Sequence, residues 1–156
     1  MSQARVGLGF DVHPRQAGRP LLLGGVTFED EGGLAGHSDG DAVCHAVADA
    51  LLGAAALGDV GEHFPETDPA MQGIGGLELL ATTVATLAGS GLRPGGCDVT
   101  VICERPAIAP RREEMRDRLA GVLGIDLDRV SVKATRPEGL GLSGEGVGCL
   151  AIVTLA

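Results

Sequence analysis

The sequence predicts an α/β protein, built as an α+β two-layer sandwich in which a mixed β-sheet packs against helices. Segments with strand-like alternation and Ala- and Leu-rich segments with helical periodicity follow one another along the chain. The last segment, residues 147–155, is apolar on both faces, which is typical of a strand at the centre of a sheet. The 156 residues are enough to form a hydrophobic core, and we expect one domain over residues 1–156.

The other strands are predicted from alternation and turn residues. Residues 21–28 indicate a short hairpin around Gly24-Gly25, and residues 97–104 and 129–135 fit two more strands. Residues 5–13 fit a strand with two different faces. One face is apolar and carries Val6, Leu8, Phe10 and Val12. The other carries Gly7, Gly9, Asp11 and His13, and so ends in two groups able to bind a metal.

Three helices are predicted between these strands. The first spans Ser38 to Gly58, with Ser38 and Asp41 spaced as in a capping box and Gly58 as its end. The second covers about residues 77–88. The third follows Pro110 with acidic residues in its first turn, and its inner face carries Met115, Leu119, Val122 and Leu123.

Composition excludes several classes of function. Aromatic residues make up 2% of the chain, which has three Phe and neither Trp nor Tyr. These are too few to form a surface on which nucleic-acid bases stack. The net charge of -9 makes nucleic acid and anionic membranes poor partners, although a small anionic substrate held by metals or backbone amides remains compatible with it. No apolar run reaches membrane-spanning length, residues 1–5 lack the pattern of a signal peptide, and the four cysteines form no C-x-x-C pair. We expect a cytoplasmic protein with reduced thiols.

The strongest local signal is a set of potential metal ligands. Asp11 and His13 project from one face of the first strand, and His45 lies on the first helix. Two imidazoles and one carboxylate suit zinc and leave a fourth position open, as in catalytic sites. The alternative is an exposed strand end beside a histidine whose hydrogen bonds are satisfied, and spacing alone gives the two readings equal weight.

Other candidate segments have ordinary structural readings as well. Residues 36–41 could present amides, a hydroxyl and an imidazole to an anion, or could simply cap the helix. Residues 59–61 could hold a hydroxylated ligand or form a turn, and residues 64–68 fit a surface loop that could touch ligand. Residues 133–138 offer cations, a hydroxyl and a carboxylate where a strand ends, or a plain exit from that strand.

These segments, in this order, resemble the 2-C-methyl-D-erythritol 2,4-cyclodiphosphate synthase family. The resemblance spans essentially the whole chain. It is carried by the sequences GFDVH from Gly9, GHSDGD from Gly36 with His45, DALLGAAALGDVGEHFPETD from Asp49, RP at Arg105, KAT at Lys133 and EGLG at Glu138.

The resemblance implies a homotrimer with its sheets facing the axis and with active sites between subunits. It implies Zn²⁺ on Asp11, His13 and His45, and Mg²⁺ or Mn²⁺ held with the substrate diphosphate by Glu138. His37 and Arg136 are the expected catalytic residues. The expected substrate-binding residues are Asp11, Val12, His13, His37, Ser38, Asp59, Val60, Gly61, Phe64, Pro65, Glu66, Thr67, Asp68, Cys103, Glu104, Arg105, Pro106, Ala107, Ile108, Ala109, Thr135, Arg136, Pro137, Glu138 and Leu142.

The implied reaction is an intramolecular phosphoryl transfer in non-mevalonate isoprenoid biosynthesis. The 2-phosphate of 4-diphosphocytidyl-2-C-methyl-D-erythritol 2-phosphate attacks the β-phosphorus, and CMP leaves. Three positions depart from the family pattern. Arg136 replaces a small hydroxyl residue, Ala107 stands where Lys is common, and residues 143–146 lack an Arg-Gly pair.

Two other functions fit parts of the sequence. One alternative is a metal phosphohydrolase of the histidine–aspartate kind, suggested by His37, His45 and Asp49 on one segment. Such sites lie in all-helical domains, so the strand patterns argue against it. A non-catalytic trimer that binds metal or nucleotide is compatible with the missing arginine.

Overall fold

The computed structural model describes residues 3–29, 31–141 and 145–156. Seven strands and four α-helices occur in these ranges. The strands are β1 (Arg5–Gln16), β2 (Leu21–Leu23), β3 (Val26–Phe28), β4 (Gly33–Leu34), β5 (Pro94–Ile102), β6 (Val130–Thr135) and β7 (Gly146–Leu155). The helices are α1 (Ala42–Ala55), α2 (Val60–His63), α3 (Gly76–Gly89) and α4 (Arg112–Leu123). Leu142, an expected substrate-binding residue, lies outside the described residues.

The main sheet has five strands in the order β4-β1-β7-β5-β6. Strand β7 is antiparallel to β1 and β5, whereas β5 and β6 are parallel, so the sheet is mixed. β7 lies at its centre, as its apolar sequence predicted. Helix α1 packs on β1 and β7, α4 packs on β6, and α3 lies against both helices. The predicted two-layer sandwich is confirmed, and the sheet excludes the all-helical hydrolase alternative.

The face of β1 that packs on α1 is the one with small and polar residues. A Cβ atom on Gly7 would lie 1.8 Å from the Ala50 carbonyl oxygen, and one on Gly9 would lie 1.9 Å from the Ala46 carbonyl oxygen. Because only glycine permits so close an approach, β1 and α1 meet along this stripe. That contact brings Asp11 and His13, further along the same face, against the helix.

The apolar face of β1 is left open on the opposite side of the sheet. Val6 and Leu8 are 62% and 63% exposed in the single chain. β7 adds exposed apolar side chains to the same surface, which we call the open face: Val6, Leu8, Phe10, Val12, Leu150 and Ile152. A contiguous apolar surface of this kind marks an interaction site.

Helix α1 is shorter than the sequence predicted. It begins at Ala42 with Asp41 as its N-cap, so the capping role expected from Ser38 is wrong. The helix stops at Ala55 because Ala56 adopts a left-handed conformation (φ 58°), before Gly58 is reached. The second and third predicted helices are confirmed as α3 and α4, and the hairpin as β2 and β3. Strand β4 and helix α2 were not predicted.

Within the described residues, no helix combines the length and the apolar character that a bilayer crossing requires.

Candidate metal centre and adjoining cleft

Asp11, His13 and His45 converge as the sequence predicted. His13 Nε2 lies 2.6 Å from Asp11 Oδ2, and His45 Nδ1 lies 3.3 Å from the same oxygen. The two ring nitrogens are 3.2 Å apart. Ligand atoms about 2.0 Å from a tetrahedral zinc ion are separated by about 3.3 Å, so the three atoms have the spacing of one coordination sphere.

Hydrogen bonds outside this trio fix the orientation of both rings. His13 Nδ1 lies 2.8 Å from the Ala35 carbonyl, which can only accept, so Nδ1 carries a proton. A cation that replaced the proton on Nε2 would find the lone pair of that nitrogen aimed at it. His45 Nε2 lies 3.0 Å from Ser38 Oγ, and Ser38 Oγ also accepts a bond from the Gly40 amide. Such outer partners are the usual means of holding metal-binding imidazoles.

Electrostatics at the trio favour a positive charge. Burial raises the pKa of the Asp11 carboxyl, but hydrogen bonds with His13 and His45 outweigh that effect and lower the pKa below its ordinary value. The hydrogen bond with Asp11 raises the pKa of His13 against the opposing effect of burial. Asp11 Oδ2, the oxygen that faces both imidazoles, is buried and has no other hydrogen-bond partner among the described residues. A proton or a cation is required among these atoms, and the donor set fits a divalent metal ion.

A cleft of about 240 Å³ opens beside the trio. One side is polar and includes His37 and Ser38, and the Nε2 atom of His37 is buried without a hydrogen-bond partner. Much of the remaining lining is apolar. Besides the three candidate ligands, the lining consists of Gly36, His37, Ser38, Val60, Gly61, Phe64, Glu66, Met71, Ile74 and Leu79.

The amino end of α1 is closed to an external anion. Asp41 is fully buried and its carboxylate accepts hydrogen bonds from the amides of Val43 and Cys44, the same groups that an anion would need. It also accepts from the Gly24 and Gly25 amides. Asp41 therefore caps the helix and occupies its amides, whereas the imidazole of His37 and the hydroxyl of Ser38 stay candidates for contact with an anion.

The segment from Asp59 to Asp68 reaches the cleft only in part. Val60, Gly61, Phe64 and Glu66 line it, whereas Asp59 caps α2 and borders an adjoining depression. Among the described residues, Pro65, Thr67 and Asp68 lie outside the cleft wall. The Asp68 carboxylate accepts from the Ala70 amide. The Val12 side chain lies on the open face, away from the cleft.

The expected residues 103–109 and 135–138 form a second group at the carboxyl ends of β5 and β6. The Cys103 amide donates to the Thr135 carbonyl at 3.2 Å, and the Glu104 carboxylate accepts from the Gly139 amide at 3.0 Å. Arg136 and Glu138 are exposed. In one chain, no described member of this group lines the 240 Å³ cleft, so the structure does not bring Glu138 or Arg136 to the metal trio.

Comparison with known proteins identifies the family. The YgbB family matches residues 4–156. The 2-C-methyl-D-erythritol 2,4-cyclodiphosphate synthase of Symbiobacterium thermophilum is 51% identical over 153 residues, which cover 97% of this chain and 98% of that protein. The chain belongs to the YgbB family of cyclodiphosphate synthases. A solved synthase with CDP bound has a TM-score of 0.90 at 35% identity, covering 97% of this chain and all of that one.

A bifunctional relative contains the synthase fold as one part. The IspD/IspF enzyme of Anaeromyxobacter dehalogenans is 55% identical over 151 residues, covering 96% of this chain and 39% of the relative.

Sequence reasoning missed part of the cleft of this synthase family member. Met71, Ile74 and Leu79 supply its apolar wall, and Ala35 orients His13. Residues 69–75 carry no periodic pattern, so their position depends on contacts with distant segments. One such contact is the hydrogen bond from the Gly73 amide to the His37 carbonyl.

Proposed function

We propose that this chain converts 4-diphosphocytidyl-2-C-methyl-D-erythritol 2-phosphate into the 2,4-cyclic diphosphate and CMP, in non-mevalonate isoprenoid biosynthesis. The observation that carries the proposal is the carboxylate–bis-imidazole trio at a cleft, in a chain of this synthase family. The enzyme would be a metal-dependent phosphorus–oxygen lyase. Its cytoplasmic location and its organisation as one domain over residues 1–156 stay predictions.

Asp11, His13 and His45, which line the cleft, would hold Zn²⁺. When bound, the ion would supply Lewis-acid polarisation of a phosphate oxygen. The chain's own part is orientation, because contacts with the Ala35 carbonyl and the Ser38 hydroxyl fix the two imidazoles. His37 would donate a hydrogen bond to a substrate phosphate, since its unpartnered Nε2 belongs to a residue of the cleft wall.

The bond changes proposed for the substrate require no covalent enzyme intermediate. An oxygen of the 2-phosphate forms a bond to the β-phosphorus, and the bond from that phosphorus to the bridging oxygen breaks. The electron pair leaves with CMP. The residues of the cleft hold the substrate bent so that attack is in line, and such positioning accounts for much of the acceleration in phosphoryl transfer.

The second proposed ion is Mg²⁺ or Mn²⁺. Glu138 is an exposed carboxylate that would serve as its oxygen ligand. Among the described residues, the Asp11–His13–His45 trio is the only grouping of three or more candidate ligands, so the second ion would depend on the substrate for its other ligands. Mg²⁺ commonly binds through one or two carboxylates plus substrate phosphates, so a single protein carboxylate suits it. Arg136 would add a charged contact to phosphate.

The homotrimer belongs to the same proposal. The apolar open face supports association, with the sheets turned toward a common axis. Association would also bring residues 103–109 of one subunit to the cleft of another, where they would hold the cytidine. The CDP-bound synthase described above supports a cytidine diphosphate substrate. Sedimentation would test the trimer: Leu8→Asp should yield monomers, while Leu127→Asp, outside the open face, should not.

Release of CMP tests the catalytic proposal. Wild type and His45→Ala are mixed with the cytidyl substrate and Mg²⁺ or Mn²⁺, and bound zinc is counted in both. We expect the wild type to release CMP and the variant to lose zinc and activity together. Turnover that persists without zinc would contradict the metal role. Zinc binding without CMP release would indicate the non-catalytic alternative.

A further inference from the structure

Residues 36–38 join β4 to the N-cap of α1 and place His37 and Ser38 at the cleft. All three of their backbone carbonyls accept hydrogen bonds. The His37 carbonyl accepts from the Gly73 amide at 2.8 Å. The carbonyls of Gly36 and Ser38 both accept from one guanidinium, that of Arg19.

Arg19 lies in the connection between β1 and β2, outside every motif that the sequence singled out. Its Nη1 donates to the Gly36 carbonyl at 2.9 Å, and its Nη2 donates to the Ser38 carbonyl. Its own carbonyl accepts from the Gly33 amide at 2.9 Å, which ties the base of the side chain to β4. A planar guanidinium holds two donors in a fixed fork, a geometry that a lysine ammonium lacks.

This segment, residues 36–38, contacts one of the three candidate metal ligands directly. Ser38 Oγ contacts His45 Nε2 at 3.0 Å, on the ring edge opposite Nδ1, which faces Asp11. We propose that Arg19 is a positioning residue: its guanidinium fixes residues 36–38 so that Ser38 orients His45 for the cation. This inference rests on the proposed function for the role of the trio as a metal site.

Metal titration without substrate tests the inference. Apo forms of the wild type, Arg19→Ala, Arg19→Lys, Ser38→Ala and the double variant Arg19→Ala/Ser38→Ala are titrated with Co²⁺, and the absorption bands report the coordination geometry. Loss of an outer-shell partner typically weakens metal binding about 10- to 100-fold. We expect weakening of about tenfold for Arg19→Ala and for Arg19→Lys. Arg118→Ala, an exposed helix arginine 3.6 Å from Glu114, is the control and should match the wild type.

The double variant separates positioning from a general effect on folding. If Arg19 acts through Ser38, adding Arg19→Ala to Ser38→Ala should weaken Co²⁺ binding by less than about twofold more, since coupled residues are not additive. Independent losses that multiply, or an Arg19→Ala affinity equal to that of the wild type, would overturn the inference. If Arg19→Ala does not fold, Arg19→Lys, which keeps the charge and the aliphatic stem, carries the same comparison.

The proposed function can fail separately. If the wild type binds Co²⁺ and the Arg19 and Ser38 variants show the expected coupling, but the wild type releases no CMP, only the catalytic proposal is overturned. A wild type that releases CMP while Arg19 substitutions leave metal affinity and the Co²⁺ spectrum unchanged overturns only the role of Arg19.

Discussion

The carboxylate of Asp41 accepts a hydrogen bond from the Gly24 amide at 2.9 Å and thereby ties the β2–β3 hairpin to the start of α1. The same carboxylate caps the helix through the Val43 and Cys44 amides. His45 lies one turn further along α1. By fixing where the helix begins, this buried carboxylate therefore also fixes the position of a candidate metal ligand relative to the hairpin.

Asp41→Ala should destabilise the fold strongly. The substitution removes a helix cap, about 1 kcal/mol, and leaves buried amides without an acceptor, so we expect a loss of at least about 3 kcal/mol in the free energy of unfolding. Urea denaturation at fixed protein concentration measures it. Asp126→Ala is the matched control, because the Asp126 side chain caps no amide. Equal stabilities for the two variants would contradict this role of Asp41.

Gly9→Ala should separate β1 from α1. The added methyl would lie 1.9 Å from the Ala46 carbonyl oxygen, so the strand or the helix must move. We expect a loss of about 3 kcal/mol in the free energy of unfolding together with weaker metal binding, because overpacking displaces neighbouring backbone. Gly53→Ala, an exposed position in α1 with open space at its Cβ, should instead stabilise by up to about 1 kcal/mol. A Gly9→Ala protein as stable as the wild type would refute the close contact.

Metal should stabilise the native protein through the trio. A ligand present at 100 times its dissociation constant adds about 2.7 kcal/mol to the free energy of unfolding, so Zn²⁺ should raise the melting temperature and a chelator should reverse the increase. Asp11→Asn removes the carboxylate with little change in shape and should reduce the zinc-dependent shift. Asp117→Asn, on the exposed side of α4, serves as the control. A full shift in Asp11→Asn would show that zinc acts elsewhere.

Stability should fall in alkaline solution because of buried thiols. Burial raises the pKa of the Cys97 thiol to about 12 from its ordinary 9.0. A group whose pKa is raised on folding contributes its full stability below the unfolded value, and that contribution is lost as the pH rises from 9 toward 12. Each thiol affected in this way contributes up to about 1.4 kcal/mol per pH unit to the slope.

The alkaline slope can be assigned by substitution. The chain contains no tyrosine, and Lys133 is its single lysine, so cysteines dominate titration in this range. Cys97→Ala should make the decline between pH 9 and 12 shallower than in the wild type, as measured by urea denaturation at several pH values. An unchanged slope would mean that Cys97 ionises equally in the folded and unfolded chains.

The sequence placed the three candidate ligands on their strand and helix because residue type and period are local properties, and the family resemblance predicted that they meet at one metal ion. Alternation places Asp11 and His13 on one face of a strand, and helical spacing places His45 on a buried helix. The same local reasoning failed for Ser38. A hydroxyl before a helix reads as a cap, yet Asp41 caps α1 and Ser38 orients His45 instead.

The sequence by itself determined the order of the longer strands and helices, the central place of β7 and the elements that carry Asp11, His13 and His45. Tertiary structure decided which face of β1 lies against the helices, where α1 begins, and how Arg19 reaches residues 36–38. The reason is physical: alternation and periodicity follow from neighbours along the chain, whereas burial and hydrogen bonding depend on segments that meet only after folding.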